Sequence, residues 1–450
     1  MIDQSKPLWR RFLVFLVPLM ISNILQSLSG TINNIYIGQL IGVDALAAVS
    51  VFFPIMILLI SFVIGLASGA SILIGQAWGA KNLQKIKAVT GTTLTVGFLM
   101  GLVVAVIGAF FARNLMELLG APANIIAEAA AYGRIVLIGM PGFFVFLLIT
   151  SMLRGVGDTT TPLFTLIFSI GVGLVVTPAL IQGWFGLPQI GVLAAAVAFI
   201  ASFVVVLIFL YFYLNARKSP MAPDAELIRN LRVDVGLLKL VLRLGIPAGV
   251  SMVVSSMSAI VIIGIVNRFG SDATAAYGAV NQVLSYVQFP AMSIGIASSI
   301  FAAQAIGARR FEEVEKVTRT GAIINLVFTG ALVVLAYIFS EVVVRLFITD
   351  PQVVDLTQTL LHIVLWSCLL FGWGQIFSAV MRASGDVWIP MALSLAAIVL
   401  VEVPAALVLS HFLGLEGVWY GYCLSFAALL IFQASYYFGW WRKKEIRALV

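Results

Sequence analysis

Apolar residues run along this chain in stretches of twenty or more, separated by short polar connections. An α-helix needs about 20 apolar residues to cross a hydrocarbon core about 30 Å thick. Twelve such stretches can be drawn: 12–40, 46–77, 86–112, 123–152, 160–183, 189–215, 240–267, 274–305, 317–346, 353–381, 387–411 and 415–441. Several exceed what a perpendicular span requires and are expected to tilt or bend. The one sizeable polar connection, 216–239, falls at mid-chain, with two prolines and both charge signs. It reads as a linker with a short surface helix. It divides the chain into an N-terminal lobe (residues 1–215), the linker itself (216–239) and a C-terminal lobe (240–450).

Composition narrows the class. The chain is 62% hydrophobic and 10% charged, with a mean hydropathy of +1.11. Soluble domains hold about 45–50% apolar and about 25% charged residues. Such a surplus leaves too few polar groups to cover a soluble fold. With Cys368 and Cys423 as its two cysteines, the chain is no disulfide scaffold. The unbroken apolar runs also differ from the short alternating strands of a membrane β-barrel. The expected fold is an all-α integral membrane protein.

The net charge of +7 does not call for nucleic acid, because the basic residues sit in short loops and no nucleic-acid motif occurs. It reports topology instead. Most of the 26 Lys and Arg fall in connections on the side of the termini, against Arg113, Arg268 and Arg345 on the other side. The positive-inside rule then places both termini in the cytoplasm and requires an even number of spans. The apolar stretch after Arg11 is too long for a signal peptide and lacks a small-residue cleavage pattern, so it is read as the first span.

The chain repeats itself at one fixed offset. I-G-V-D-A-L-A-A at 41–48 matches F-G-S-D-A-T-A-A at 269–276, and G-Q-A-W-G-A at 75–80 matches A-Q-A-I-G-A at 303–308. R-G-V-G-D-T-T-T-P at 154–162 matches R-A-S-G-D-V-W-I-P at 382–390, and Gly186-Leu187 matches Gly414-Leu415. The matched residues are mostly polar, Gly or Pro, so chance similarity of apolar sequence does not explain them. Six spans per repeat means both repeats enter the membrane the same way round. They are expected to form two six-helix lobes related by a pseudo-two-fold axis along the membrane normal, with substrate near the midplane. A channel would need a filter or charged rings, and neither is visible.

At these residues the chain resembles the multidrug and toxic compound extrusion (MATE) family. The resemblance covers essentially the whole chain. It rests on L-V-P ending at Pro18, N-N-I-Y-I-G at 33–38, D-A-L-A-A-V-S at 44–50, G-Q-A-W-G-A, L-G-A-P at 119–122, L-R-G-V-G-D-T-T-T-P at 153–162 and L-G-I-P at 244–247. It implies a two-lobed exporter that expels lipophilic, often cationic compounds in exchange for protons or sodium. The family's usual coupling residues are not repeated here. Where many members have an Asp in the first span, this chain has Asn34. Gly173 and Thr177 replace an Asn and an Asp before Pro178, Phe199 replaces a common Thr, and Ser255 replaces the Glu of one branch.

Of the 19 Asp and Glu residues, nearly all lie at loops or span ends. Glu402 is the exception, inside L-V-E-V-P-A-A-L and about 13 Å from the outer end of its helix at 1.5 Å per residue. An intramembrane carboxylate is costly and marks a functional site by default, so Glu402 is the candidate proton carrier, with support of a buried base or backbone group as its structural alternative. Asn33, Asn34 and Thr177 are the candidate oxygen ligands for an ion or substrate, against interhelical hydrogen bonding. Phe53, Met140, Phe144, Ser255, Tyr277, Gln282 and Tyr286 are candidate cleft residues, since aromatic faces suit a lipophilic cation. Gln76 and Gln304, related by the repeat, are candidates for a gate, or for helix capping with Gly79 and Gly307. Arg154 with Asp158, and Arg382 with Asp386, read as paired loop anchors. Arg134, His362 and His411 read as structural.

The function expected is secondary active export. No phosphate-binding G-x-x-x-x-G-K-[ST] loop is present, and neither H-E-x-x-H nor paired carboxylates within a span suggest an enzyme. A lipid-linked oligosaccharide flippase of the same superfamily is the alternative, and an ion channel the alternative of another class. The expected partners are a lipophilic small molecule and membrane lipid, without nucleic acid. No cofactor is expected beyond the coupling ion, a proton or sodium. The resemblance places the protein in a bacterial inner membrane; a monomer is expected, since the cleft would lie between the two halves of one chain.

Overall fold

The computed structural model describes residues 6–450. Its helices are α1 (Leu8–Leu40), α2 (Val43–Gly79), α3 (Leu83–Leu118), α4 (Ile126–Ile138), α5 (Met140–Gly155), α6 (Thr160–Gln182), α7 (Leu193–Ala216), α8 (Ala225–Arg229) and α9 (Val235–Val266). Then follow α10 (Ser271–Gly307), α11 (Glu312–Ile338), α12 (Ser340–Arg345), α13 (Pro351–Val364), α14 (Cys368–Ala383), α15 (Trp388–Ala396), α16 (Val403–Leu413) and α17 (Leu415–Gly439). Among the described residues, eleven helical segments are long and apolar enough to cross a membrane. A twelfth span is made by α4 and α5, bent by 52°. The protein is a multi-pass helical membrane protein, and the twelve spans fall where the apolar stretches lie. The bend sits at Gly139, two residues before Pro141, whose ring removes a backbone donor and disfavours helix at the residue before it.

The chain forms two compact units. One holds Ile21–Trp78 and Asn82–Gly249; the other holds the start of α1 up to Met20, Gly79–Lys81 and Val250–Val450. The dividing points in α1 and α9 fall just after Pro18 and Pro247, the prolines of the L-V-P and L-G-I-P stretches. The polar linker belongs to the first unit, so the units do not separate at residues 215–240. Each unit thus takes in the first turns of the other half's leading helix.

Packing explains both exchanges. In the first unit, α2 carries Gly65 and Gly69, and α9 carries Gly245 and Gly249, each pair at the four-residue spacing that lets membrane helices approach closely. A Cβ on Gly245 would lie 2.2 Å from the Gly65 carbonyl oxygen, and one on Gly69 would lie 2.2 Å from that of Val241. In the second unit, Phe12, Phe15, Leu16 and Leu19 of α1 are buried with Ile294, Ala297 and Phe301 of α10. The Phe12 and Phe301 rings stand 4.8 Å apart, and the Arg11 guanidinium lies over Phe301.

The linker is tied to α3. The Lys87 side chain, 5% exposed, ion-pairs with Asp224 and, at 3.0 Å, with Glu226. Asp224 also caps α8 by accepting from the Leu227 amide at 2.9 Å. The Lys87 ammonium holds the Asp224 carboxyl below the usual carboxylate range.

Candidate functional site

A cavity of about 270 Å³ lies within the first unit, bounded by α1, α4, α5, α6 and α7. Gln26, Ser29, Asn33 and Tyr36 reach it from α1 at successive three- and four-residue steps, which is one face of a helix. Ser169, Gly173 and Thr177 reach it from α6 at the same kind of spacing. Its apolar wall is Phe143, Phe199 and Phe203, whose ring centroids lie 4.9, 5.1 and 5.9 Å apart. None of the lining residues is charged. Ser202 spends its hydroxyl on the Ala198 carbonyl at 2.7 Å. The side chains of Asn33 and Thr177 make no hydrogen bond to other described residues and stay free for a guest.

Asn34, one residue along from Asn33, is exposed and off that face. A step of one residue turns a side chain about 100° round a helix, so neighbours in sequence do not share a face. The structure therefore brings together Asn33 and Thr177 but not Asn34.

The second polar centre lies in the C-terminal unit. A π-helical turn, Ala397–Glu402, joins α15 to α16, immediately before Pro404. Such turns are rare and occur frequently at functional sites. Glu402 ends it and is 7% exposed. Ser258 of α9 donates to its Oε1 at 2.6 Å, and Ser425 of α17 donates to its Oε2 at 3.0 Å. No Lys, Arg or His pairs with Glu402 among the described residues. Ser425 Oγ also stands 3.2 Å from the Ala397 carbonyl oxygen. A hydroxyl has one proton and serves one acceptor at a time. With Glu402 ionised, Ser425 donates to the carboxylate. With Glu402 protonated, the carboxyl donates to Ser425, whose own proton turns to Ala397. The carboxyl is hydrogen-bonded in both charge states.

The other expected site residues are scattered. Met140 and Phe144 are fully buried in the first unit's core and line no cavity described here. Phe53 is 63% exposed and Ser255 is exposed, whereas Ser258, one turn on, is the residue turned inward. Tyr277 is buried, its hydroxyl 3.1 Å from that of Tyr422 and its ring against Trp419. Gln282 and Tyr286 are half-buried on α10, with the Tyr286 ring edge-on to Phe289. Gln76 and Gln304 are buried near the ends of α2 and α10. A Cβ on Gly79 would fall 2.0 Å from the Gln304 carbonyl oxygen.

The loop anchors need correction. Asp158 caps α6, accepting from the Thr161 amide at 2.9 Å and its hydroxyl at 2.6 Å, and not from Arg154. Asp386 accepts from Tyr436 at 2.7 Å and Lys444 at 2.8 Å, and not from Arg382. Asp158 thus serves the first turn of its own following helix, whereas Asp386 ties the α14–α15 loop to Tyr436 of α17 and to Lys444 beyond it. His362 is held by Ser340 at 3.0 Å.

These helices and repeats coincide with a known family. The MatE profile matches the chain twice, over residues 18–179 and 247–408. The chain belongs to the MatE family. It is similar to the probable multidrug resistance protein YoeA of Bacillus subtilis (strain 168), with 49% identity over 99% of this chain and 97% of that one. It is 27% identical to YpnP of the same organism, another probable multidrug resistance protein, over 97% and 96% of the two chains. Its fold matches a mutant of the Vibrio cholerae MATE transporter VcmN, at 20% identity and a TM-score of 0.89 over 97% of this chain and 98% of the other. Of the four N-lobe positions that the sequence set beside the family's expected coupling residues, Gly173, Thr177 and Phe199 line one cavity with Asn33, and Asn34 does not. That lining is in part polar and carries no charged residue.

Proposed function

We propose that this MATE protein is a multidrug efflux transporter, a proton-driven antiporter of lipophilic cations. The names of its relatives support the efflux role, and the uncharged aromatic cavity supports the substrate class. A cation there meets ring faces and the free oxygens of Asn33 and Thr177. At about 270 Å³ the cavity is at the low end for small-molecule sites, about 300–1,000 Å³, and suits a flat cation or one portion of a larger one. We place it in a bacterial inner membrane, with both termini cytoplasmic, acting as a monomer and not as an enzyme.

One observation carries the proton coupling: Glu402 is a buried carboxyl held by two serine hydroxyls and, among the described residues, by no base. An acid paired with a base stays ionised, whereas Glu402 keeps its hydrogen bonds whether it is ionised or protonated. The test is transport of a fluorescent lipophilic cation into liposomes, first under a proton gradient and then under a sodium gradient. Protons alone should drive it, and Glu402→Gln should abolish the gradient dependence while the cation still binds. Sodium-only transport rules out the proton as driver. Full proton-driven transport by Glu402→Gln rules out Glu402 as its carrier.

A further inference from the structure

Helix α6 has two concave faces. Leu166, Ser169, Ile170, Gly173, Leu174 and Thr177 line the polar cavity. The opposite face forms, with α7, a second and larger hollow of about 840 Å³. Phe164, Phe168, Gly171 and Val175 line it from α6; Phe209, Tyr213 and Arg217 line it from α7. No acidic residue is among its lining residues. Several of its side chains are open to the surroundings, among them Phe164 and Val175. In a membrane helix those surroundings are lipid.

We infer that this groove is a binding site for one anionic phospholipid, with an acyl chain against Gly171 and the phosphate on Arg217. Length is the first argument. From Phe164 to Val176 the groove is about 18 Å long at 1.5 Å per residue, close to one leaflet of a core about 30 Å thick. Shape is the second. Gly171 leaves the floor open, because a Cβ there would meet nothing within 4 Å. The volume lies within the about 300–1,000 Å³ of clefts that hold whole ligands. Charge is the third. Arg217 closes the end of the groove that lies among the basic loops, cytoplasmic by the charge asymmetry. Its guanidinium is steadied over the Tyr213 ring at 4.9 Å, and it has no carboxylate partner among the described residues. A planar guanidinium forms paired hydrogen bonds with phosphate oxygens. A lipophilic cation is repelled by the same group, which separates this groove from the substrate cavity across α6.

The site is tested by binding, so its outcome does not depend on the transport reading. The purified protein is equilibrated with micelles holding equal phosphatidylglycerol and phosphatidylcholine of identical chains, and bound lipids are counted by native mass spectrometry. The wild type should retain phosphatidylglycerol preferentially. Arg217→Gln should cut that preference about fivefold, the scale of one basic group at a membrane surface. Gly171→Leu fills the groove, replaces Gly with a better helix former, and should lower retention of both lipids. Arg268→Gln, on the loop between α9 and α10, should change neither. Equal retention of the two lipids by the wild type, an Arg268→Gln effect as large as that of Arg217→Gln, or full retention by Gly171→Leu would each overturn the assignment. A dimer dissociated by Gly171→Leu would also overturn it, making a second copy the occupant.

Discussion

Replacing Gly245 by alanine tests the close packing of α9 on α2. The new methyl would lie 2.2 Å from the Gly65 carbonyl oxygen and 2.7 Å from its carbon. That is roughly 0.8–1.8 Å short of the about 3.5–4.0 Å at which non-bonded heavy atoms rest. Both obstacles are backbone, so no side chain can swing aside and the helices must move apart. Overpacking of this kind costs about 1–3 kcal/mol. Alanine also returns about 1 kcal/mol of helix propensity. Gly264 supplies the control: it lies on the same helix, and a Cβ there meets nothing within 4 Å. Gly264→Ala gains the propensity without the clash, so the two variants should differ by about 1–3 kcal/mol, the overpacking cost itself. The assay is the apparent melting temperature in detergent, at one scan rate because membrane proteins commonly unfold irreversibly. Gly264→Ala should melt at or above the wild type, and Gly245→Ala below it. Gly69→Ala, aimed at the Val241 carbonyl, should fall with Gly245→Ala. If Gly245→Ala melts with Gly264→Ala, the two helices are not in the contact described.

Two further predictions follow from the linker and the cavity. Lys87 depresses the Asp224 carboxyl in the folded protein, so the contribution is present above the unfolded value of about 3.9 and is lost as pH falls through the folded value. Melting temperature should therefore drop less between pH 5 and pH 3 (roughly the carboxylate window) in Asp224→Asn than in the wild type, and a parallel drop would discard the linkage. The effect is small, because the Asp224 side chain is 43% exposed. In equilibrium dye binding, Asn33→Ala and Thr177→Val should each weaken a lipophilic cation by about 2–10-fold, the range of one hydrogen bond. Asn34→Ala should leave affinity unchanged, and a loss equal to that of Asn33→Ala would move the site to the other face of α1.

The span pattern was legible because apolar length alone decides what can cross a bilayer, and little else in the chain competes with it. Proline marked the break before Pro141, yet the degree of bend depends on neighbours that periodicity does not name. The exchange of leading helices was less visible. Gly65, Gly69, Gly245 and Gly249 stand in the sequence at the right spacing, but nothing local says that the two pairs face each other. Glu402 was found because a carboxyl in an apolar run is costly enough to need a reason. Its donors were not. Serines in these helices commonly bond their own preceding turn, as Ser256 and Ser285 do, so Ser258 and Ser425 carry no mark of a distant partner. The sequence does not tell the aromatic candidates apart for a related reason: Phe53 and Phe144 have the same chemistry, and only packing leaves one exposed and the other buried.

The two polar centres lie in different units, so coupling between them needs a physical carrier. α1 and α9 each run from one unit into the other. α1 contributes Phe12 and Phe15 to the core of the C-terminal unit and Gln26, Ser29 and Asn33 to the cavity of the first. α9 packs through Gly245 and Gly249 in the first unit and presents Ser258 to Glu402 in the second. A continuous helix is a connection, not a switch; coupling requires an element with two states that both sites bias. On the proposed function, the hydrogen bonds of Glu402 would supply one. Ser425 reverses its donor role when the carboxyl takes a proton, and Ser258 exchanges a charged acceptor for a neutral one. Charge-assisted hydrogen bonds are roughly twice as strong as neutral ones, so protonation loosens the tie between α9 and the π-helical turn. On the proposed function, that tie is where a proton on Glu402 would first be felt by a helix that also belongs to the substrate-binding unit.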